Sequence, residues 1–344
     1  MKEEPDWTDG GRRSVKVRKE HLGTLAEMIL QKKKEKPSWI EWDEEHWHYQ
    51  GENFQGTEDL RRERVALYIL ALDAINFCFW PNRNYPTETH VNSLEYDHLA
   101  IALKKLAAAD DQSCTDDLSS YFFSAEQLAS TTVASMKSHL EPHLTGHYLD
   151  NMEKRSELWR EVGDVLLTHF DGSAMRMIAS AGGNAPKLVE LIFTHFPGFR
   201  DETLLDGESN RIVFLKRAQI FVGDVDAALK LNLNELNRLT TFADYRVPQI
   251  LRQYGILEYS PELSEIVDSG KQISKGSPDE VSIRAATVVG VEELVAVLNE
   301  RDEITETGQP FTDVNVDWYL WQVGEKMHSD GLLKPFHKVR TQFY

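Results

Sequence analysis

Apolar and polar positions alternate with a helical period along most of this chain. In residues 15–34, Val15, Leu22 and Ile29 recur at roughly helical spacing before a polar run and a proline, which predicts a helix there. Residues 63–79 are apolar on nearly every face, so they predict a buried helix. The same periodicity predicts further helices over residues 98–109, 125–140, 156–169, 185–196, 214–231, 248–254 and 291–301.

Strand patterns are scarce by comparison. Residues 279–298 fit a pair of helices better than extended structure. No repeat of fixed period is visible, and no linker rich in Gly, Ser or Pro divides the chain. The pattern therefore predicts a mostly α protein with few short strands. It would form a single globular helical domain over residues 15–344, preceded by a flexible N-terminal segment, residues 1–14.

Composition narrows the classes of function. Of the 344 residues, 41% are hydrophobic and 10% aromatic, which is enough for a sizeable core. The formal net charge of -18 argues against binding a nucleic-acid backbone, although local cations could still hold a small anion. The chain has neither an apolar leader nor a run of about 20 apolar residues. We therefore expect no membrane association and a cytoplasmic location, with the nucleus as a second one.

Metal and disulfide chemistry have little support in the sequence. Two cysteines, Cys78 and Cys114, are too few for a disulfide framework. His46 and His48 flank Trp47, but no third metal ligand lies at a recognisable spacing. We predict a reducing compartment and no metal site.

Asp244 is the residue that most needs an explanation. It is the only carboxylate in the apolar and aromatic run 239–251, and burying an unpartnered charge costs several kcal/mol. Arg246 is the nearest cation, but residues two apart on a helix point to different faces, so an ion pair would require a turn. Asp244 is therefore either a functional carboxylate or the cap of a helix that Pro248 could begin.

An aromatic cluster precedes Pro81. Phe77, Phe79 and Trp80 follow Asn76 and could form a flat stacking wall for a heterocycle, or simply fill the core. Asp73, earlier in the same buried run, is either a satisfied core group or part of the same pocket.

Two later clusters combine charge with apolar surroundings. Lys216 and Arg217 stand at the head of an apolar helix, followed by Asp224. The two cations could hold a phosphate, or they could line a solvated helix face. Asp317 adjoins large aromatics that include Trp321. Those rings could shield its carboxylate, or Asp317 could be a helix N-cap.

Several common chemistries lack the sequence motif that they require. The chain contains no G-x-x-x-x-G-K-[ST] loop, no G-x-G-x-x-G after a strand and no G-x-S-x-G elbow. Catalysis by a carboxylate side chain is the chemistry that these absences leave open. An aspartate in an aromatic pocket could act as a general base, or it could stabilise a sugar that becomes positively charged during glycosidic cleavage.

Six motifs, in order, resemble those of the queuosine salvage family, the queuosine 5'-phosphate N-glycosylases. The resemblance covers roughly residues 15–344. The motifs are L-A-L-D-A-I-N-F-C-F-W at 70–80, F-P-G-F-R-D at 196–201, K-R-A-Q-I at 216–220, T-F-A-D-Y-R-V-P-Q at 241–249, D-W-Y-L-W at 317–321 and P-F-H at 335–337.

The resemblance implies a fold similar to helix-hairpin-helix DNA glycosylases. It implies hydrolysis of the N-glycosidic bond of queuosine 5'-monophosphate, which releases queuine for insertion into transfer RNA, with no cofactor. It makes Asp244 the catalytic carboxylate and Phe242 a residue that lines the base or sugar. Asp317 would bind the hydroxyls or the amine of the queuine side group.

Further roles follow from what this substrate requires. Lys216, Arg217 or His48 would meet the 5'-phosphate, and Asp224 or Asp317 would protonate the leaving base. Other predicted binding residues are Phe77, Phe79 and Trp80, which would stack on the base, and Trp321. We expect a monomer that acts on a small nucleotide without binding nucleic acid directly.

Water attack and a covalent intermediate at the sugar both remain open, and we favour water. Two other classes of protein compete with this interpretation. A DNA or RNA base-excision glycosylase would need to grip a polymer of phosphates, which the acidic composition disfavours. A non-catalytic helical adaptor would leave Asp244 as an N-cap.

Overall fold

The computed structural model describes residues 14–36, 38, 40–80, 92–109, 111, 118–204, 211–301 and 310–344. The described part is mostly helical, as predicted. Its α-helices are α1 (Leu22–Glu35), α2 (Glu58–Ala74), α3 (Tyr96–Ala108), α4 (Ala125–Ala129), α5 (Val133–Leu140), α6 (Met152–His169), α7 (Ala174–Ser180), α8 (Ala185–His195), α9 (Lys216–Leu229), α10 (Arg246–Gln253), α11 (Pro261–Asp268), α12 (Pro278–Asn299) and α13 (Asp313–Ser329).

Short strands form three separate pairs in the described residues. The strands are β1 (Val15–Val17), β2 (Asn92–Ser93), β3 (His147–Tyr148), β4 (Glu202–Leu204), β5 (Arg211–Val213) and β6 (Leu257–Tyr259). β1 pairs antiparallel with β6, β4 pairs antiparallel with β5, and β2 pairs parallel with β3. In the first pair Val15 lies opposite Tyr259, which ties the start of the described chain to the segment after α10.

Helix α2 is the centre of the core, as its apolar run predicts. Every residue from Glu63 to Ala74 is buried, and α2 packs against α3, α6, α7 and α9. The helix ends at Ala74 rather than at residue 79. The backbone carbonyls at the end of the helix accept hydrogen bonds from two buried guanidinium groups instead of from a further helical turn. Arg155 donates to the carbonyl of Phe77 at 2.7 Å and to that of Ile75, and Arg217 donates to that of Ala74.

Three predicted helices differ in detail. Val15–Val17 is a strand, so the first α-helix begins only at Leu22. Residues 125–140 form two helices because Thr132 caps a new one, accepting a hydrogen bond from the Ser135 amide at 3.0 Å. Residues 279–298 belong to one continuous helix, α12, rather than to a helical pair.

Helices α7, α11 and α13 lie where no helix was predicted. Each begins after a Ser or Thr whose hydroxyl accepts a hydrogen bond from a backbone amide of the first turn, namely Ser173, Ser260 and Thr312. The predicted flexible segment lies outside the described residues except for Ser14. Among the helices described, none is long and apolar enough to cross a membrane.

Candidate active site

A cavity of about 860 Å³, including its open mouth, lies where α9, α13 and the segments that precede α2 and α10 meet. Its lining is rich in aromatic rings, which belong to Trp42, Trp47, Phe77, Phe79, Tyr96, Phe242, Tyr245, Trp318, Trp321 and Tyr344. Its ionisable side chains are Asp43, Glu44, Glu45, His48, Lys216, Asp224, Asp244, Asp317 and Glu325.

Asp244 lines this cavity and also binds the start of α10. Its Oδ1 accepts hydrogen bonds from the backbone amides of Arg246 and Val247 at 2.8 and 3.0 Å, so it satisfies two donors that a helix N-terminus leaves free. Its Oδ2 has no hydrogen-bond partner among the residues that the structure describes. The capping and functional interpretations are therefore compatible, although the helix begins at Arg246 rather than at Pro248.

Arg246 does not form an ion pair with Asp244. Its guanidinium donates instead to Glu325 and Gln249, both at 2.6 Å. Arg246 contacts Asp244 through its backbone amide instead, which agrees with the expectation that side chains two apart diverge.

Lys216, the first residue of α9, reaches the cavity from beside Asp244. Leu215 before it is left-handed, with a φ of 54°, and this turn starts the helix. The ammonium donates to the carbonyl oxygen of Asn76 at 3.1 Å. Burial lowers the pKa of Lys216 to about 8, against the opposing effect of the negative charge on Asp244.

Asp317 lies on the second turn of α13 and not at its N-cap, which is Thr312. The N-cap interpretation is therefore wrong. Its Oδ2 accepts hydrogen bonds from the amide of Phe242 at 2.8 Å and from the hydroxyl of Thr241. Burial raises the pKa of Asp317 to about 8, with a further contribution from Asp244.

Asp224 lies two turns after Lys216 on α9 and lines the same cavity. Burial raises its pKa well above the ordinary value, Asp73 raises it further, and a hydrogen bond from the Trp42 side chain opposes the shift. Asp73 itself is fully buried, and neither of its oxygens accepts a hydrogen bond of normal geometry. Asp73 does not line the cavity, but the interaction with its carboxyl group favours the protonated form of Asp224.

His48 is held by hydrogen bonds on both sides of its ring. Its Nδ1 lies 2.9 Å from Asp43 Oδ1 and its Nε2 lies 2.9 Å from the Tyr96 hydroxyl. The ring stacks on Trp42, with centroids 4.4 Å apart. Tyr96 in turn meets Trp321 edge to face, so one connected group of rings forms this wall.

The structure does not bring every predicted binding residue to the cavity. Phe77, Phe79, Phe242 and Trp321 line it, whereas Trp80 and Arg217 do not. The ring of Trp80 lies against Arg340 instead. The guanidinium of Arg217 donates to backbone carbonyls of α2 and of Gly198, so it is a buried structural group rather than a solvated helix face.

Sequence reasoning missed Glu325, which lines the cavity and pairs with Arg246. Asp317, Trp321 and Glu325 are spaced four residues apart on α13, a spacing that places side chains on one helix face. This four-residue spacing is visible in the sequence, but it places Glu325 beside Asp317 only if the segment is known to be a helix.

Comparison with known proteins gives a consistent result. Residues 56–344 match the protein family described as queuosine salvage protein. A "Queuosine 5'-phosphate N-glycosylase/hydrolase" of Dictyostelium discoideum is 36% identical over 348 aligned positions, covering 100% of this chain and 98% of that protein. Proteins of the same name are 36% identical in Sphaerobacter thermophilus, over 82% of each chain, and 29% identical in Mus musculus, over 96% of this chain and 95% of that one.

Proposed function

Because the chain belongs to the queuosine salvage protein family, we propose that it hydrolyses the N-glycosidic bond of queuosine 5'-monophosphate and releases queuine for transfer-RNA modification. The relatives' names support this reaction over a DNA or RNA base-excision activity and over a non-catalytic adaptor. The chain is then a hydrolase acting on N-glycosyl bonds.

One observation supports Asp244 as the catalytic carboxylate. Two backbone amides orient its Oδ1, while Oδ2 accepts no hydrogen bond from the described residues, and the side chain lines a cavity rich in aromatic rings. A carboxylate oriented in this way needs little reorganisation when charge develops near it, which is the main source of electrostatic catalysis.

The reaction follows from the charge that develops on the sugar. As the bond from C1' to the base breaks, the ribose becomes positively charged, and the Asp244 carboxylate stabilises that charge more than it stabilises the ground state. A water molecule then attacks C1', and Asp244 accepts its proton. A covalent bond between Asp244 and C1' is the competing route.

Asp317 and Asp224 are suited to assist departure of the base. Burial raises the pKa of Asp317 to about 8 and that of Asp224 well above its ordinary value. A protonated carboxyl group is a hydrogen-bond donor, so either group can donate to the heterocycle as negative charge builds on it.

The remaining binding roles follow from the cavity lining. Phe79, Phe242 and Trp321 would stack on or border the base, while Lys216 and His48 would contact the 5'-phosphate. Arg217 and Trp80 leave this set because their side chains lie outside the lining.

The acidic composition supports a mononucleotide substrate over intact transfer RNA, since a polymer requires a basic groove. We further propose a cytoplasmic, monomeric enzyme with one domain over residues 15–344. One hydrophobic core that includes both Val15 and Tyr344 supports the single domain. The similarity to helix-hairpin-helix DNA glycosylases stays a prediction that structural superposition would test.

Replacing Asp244 by Asn tests the catalytic role. An amide oxygen can still accept hydrogen bonds from Arg246 and Val247, so we expect the fold to persist while queuine release falls by at least about 100-fold. Release is measured by chromatography from queuosine 5'-monophosphate, and folding by thermal melting. Asp226→Asn is the matched control, because Asp226 also accepts a backbone amide, that of Leu233 at 2.7 Å, and lies outside the lining. Release by a folded Asp244→Asn variant at the wild-type rate would exclude this role.

A further inference from the structure

An ion pair outside the cavity lining contacts both segments that carry the candidate catalytic groups. Arg284, on α12, donates from Nη1 to Asp201 Oδ1 at 2.8 Å and from Nη2 to Asp201 Oδ2 at 2.5 Å. The two residues are 2% and 3% exposed. A buried two-pronged pair of this kind has a fixed geometry, because both the fork and the carboxylate are planar.

The third donor of Arg284 reaches the chain next to Asp244. Its Nε donates to the carbonyl oxygen of Ala243 at 2.9 Å. That carbonyl belongs to the peptide group that joins Ala243 to Asp244, and a peptide group is planar. Arg284 therefore fixes the plane from which the Asp244 side chain projects.

The other partner of the pair reaches the start of α9. Asp201 Oδ2 accepts a hydrogen bond from the backbone amide of Lys216 at 3.3 Å, and the Asp201 carbonyl accepts one from the amide of Phe214 at 3.0 Å. These contacts lie on both sides of Leu215, whose left-handed conformation is unfavourable for a branched side chain. Asp201 thus holds the turn that directs Lys216 into the cavity.

We propose that Asp201 and Arg284 are the positioning residues of this active site, and that their ion pair fixes Asp244 and Lys216 relative to each other. Neither residue lines the cavity, so each acts through the backbone of its neighbour. Gln219 is a second link between the same segments, since its Oε1 accepts the Thr240 amide at 2.8 Å, but it contacts neither Asp244 nor Lys216 directly. The catalytic consequence of the proposal rests on the proposed function.

Arg284→Lys is the direct test. A lysine keeps the positive charge but has a single terminal nitrogen, so it cannot serve both oxygens of Asp201 and the carbonyl of Ala243 together. We expect kcat for queuosine 5'-monophosphate to fall roughly 10- to 100-fold, as for small misplacements of a reacting group. KM should rise as well, because Asp201 also holds the turn that carries Lys216, but it should rise less than in Lys216→Ala, since the ammonium group is retained.

Arg64→Lys is the matched control. Arg64 is likewise buried, pairs with Asp111 at 3.1 Å and lies 4.1 Å from the ring centroid of Tyr121. Arg284 lies at the same 4.1 Å from Phe214. Arg64 is outside the cavity lining. Measured well below the melting temperature of each variant, Arg64→Lys should retain the wild-type kcat.

Amide hydrogen exchange gives a readout that does not depend on activity. In Arg284→Lys the amides of Lys216, Arg246 and Val247, which donate to Asp201 and Asp244, should exchange faster than in the wild type. In Arg64→Lys they should not. If Arg284→Lys fails to fold, Asp201→Asn, which removes the negative charge of the carboxylate that Arg284 binds, should produce the same pattern.

Two results would overturn the proposal. One is a folded Arg284→Lys or Asp201→Asn variant with unchanged kcat and unchanged exchange at these amides. The other is an equal loss of kcat and equal exchange in Arg64→Lys, which would mean that the effect is general destabilisation. A wild-type protein that releases no queuine would contradict the proposed function instead, and the exchange measurement would still decide whether the pair positions both segments.

Discussion

Asp317 and Phe242 are joined by a hydrogen bond of 2.8 Å from the Phe242 amide to the Asp317 carboxyl group. The bond connects α13 to the segment that ends in Asp244. Because the Thr241 hydroxyl donates to the same oxygen, Oδ2 is the acceptor, and Oδ1 is the oxygen on which a proton can reside. Asp317 therefore stabilises the segment before Asp244 with one oxygen and can interact with a ligand through the other.

This arrangement predicts that Asp317→Asn is much milder than Asp317→Ala. An asparagine can accept the two hydrogen bonds with its oxygen and donate from its amide nitrogen, as a protonated aspartate would. Since burial raises the pKa of Asp317 to about 8, the protonated form prevails near neutral pH. We expect Asp317→Asn to retain kcat within about tenfold at pH 6.5, and Asp317→Ala to lose more than that.

The pH profile of kcat/KM checks the same point. In the wild type, kcat/KM should decline as the pH rises through about 8 because both Asp317 and Lys216 lose a proton there. Asn cannot lose a proton there, so Asp317→Asn should show a weaker alkaline decline. Equal loss of activity in the Asn and Ala variants, with the wild-type profile retained, would show that the acid form has no role.

Lys216→Ala should weaken recognition of the 5'-phosphate. A buried ammonium attracts an anion strongly because little water screens it. We therefore expect KM for queuosine 5'-monophosphate to rise at least about tenfold, and KM for the nucleoside to change far less. Steady-state kinetics with both substrates test this, with Lys230→Ala, at the exposed end of the same helix, as the control. Equal effects on both substrates would remove Lys216 from the phosphate site.

The sequence predicted that α2 is a buried helix, because a run that is apolar on every face has few alternatives, but it placed both ends of the helix too late in the chain. It also drew attention to Asp244, a lone acid in an apolar run, and that side chain lines the cavity, while its catalytic role stays a prediction. It misplaced Arg217, because a cation at the head of a helix looks the same whether solvent or backbone carbonyls accept its hydrogen bonds. That distinction depends on tertiary contacts with α2 and Gly198, which lie far away in the sequence.

Helix α13 shows a second limit. Its N-cap, Thr312, lies five residues before Asp317, which the sequence also offers as an N-cap, so the sequence alone does not fix where the helix begins. Without that helix, Glu325 could not be placed on the same face as Asp317. The ion pair between Arg284 and Asp201 could not be predicted from the sequence either, because 83 residues separate the two partners.

Gly163 should be essential for packing α6 against α4. A Cβ at this position would overlap the backbone of Ala125 and Ala129, which cannot move without displacing α4. We expect Gly163→Ala to lower the free energy of unfolding by about 1–3 kcal/mol or more. Gly23→Ala, in α1, is the control, since no atom lies within 4 Å of the added Cβ. It should be neutral or stabilising by up to about 1 kcal/mol. Urea unfolding measures both, and a stable Gly163→Ala variant would contradict this contact.

Loss of the Asp73 proton should lower the free energy of unfolding as the pH rises. Burial raises its folded pKa from 3.8 to about 8, against the opposing effect of Lys216. Between those values the folded state binds a proton that the unfolded state has lost, so this stabilisation is complete below the lower value and is lost as the pH rises towards the higher one. Each such group lowers the free energy of unfolding by at most about 1.4 kcal/mol per pH unit.

Urea unfolding at about pH 5, 6.5 and 8 tests the role of Asp73 through the slope of stability against pH. Asp73→Asn places a neutral amide of nearly the same shape at the site, so it changes stability by an amount independent of pH and should reduce the slope relative to the wild type. Asp59→Asn, on the exposed first turn of α2, should leave the slope unchanged. Lys216 acts in the opposite direction only above its lowered pKa of about 8, and therefore does not mask the effect in this range. An Asp73→Asn slope equal to that of the wild type would show that Asp73 does not carry the proton.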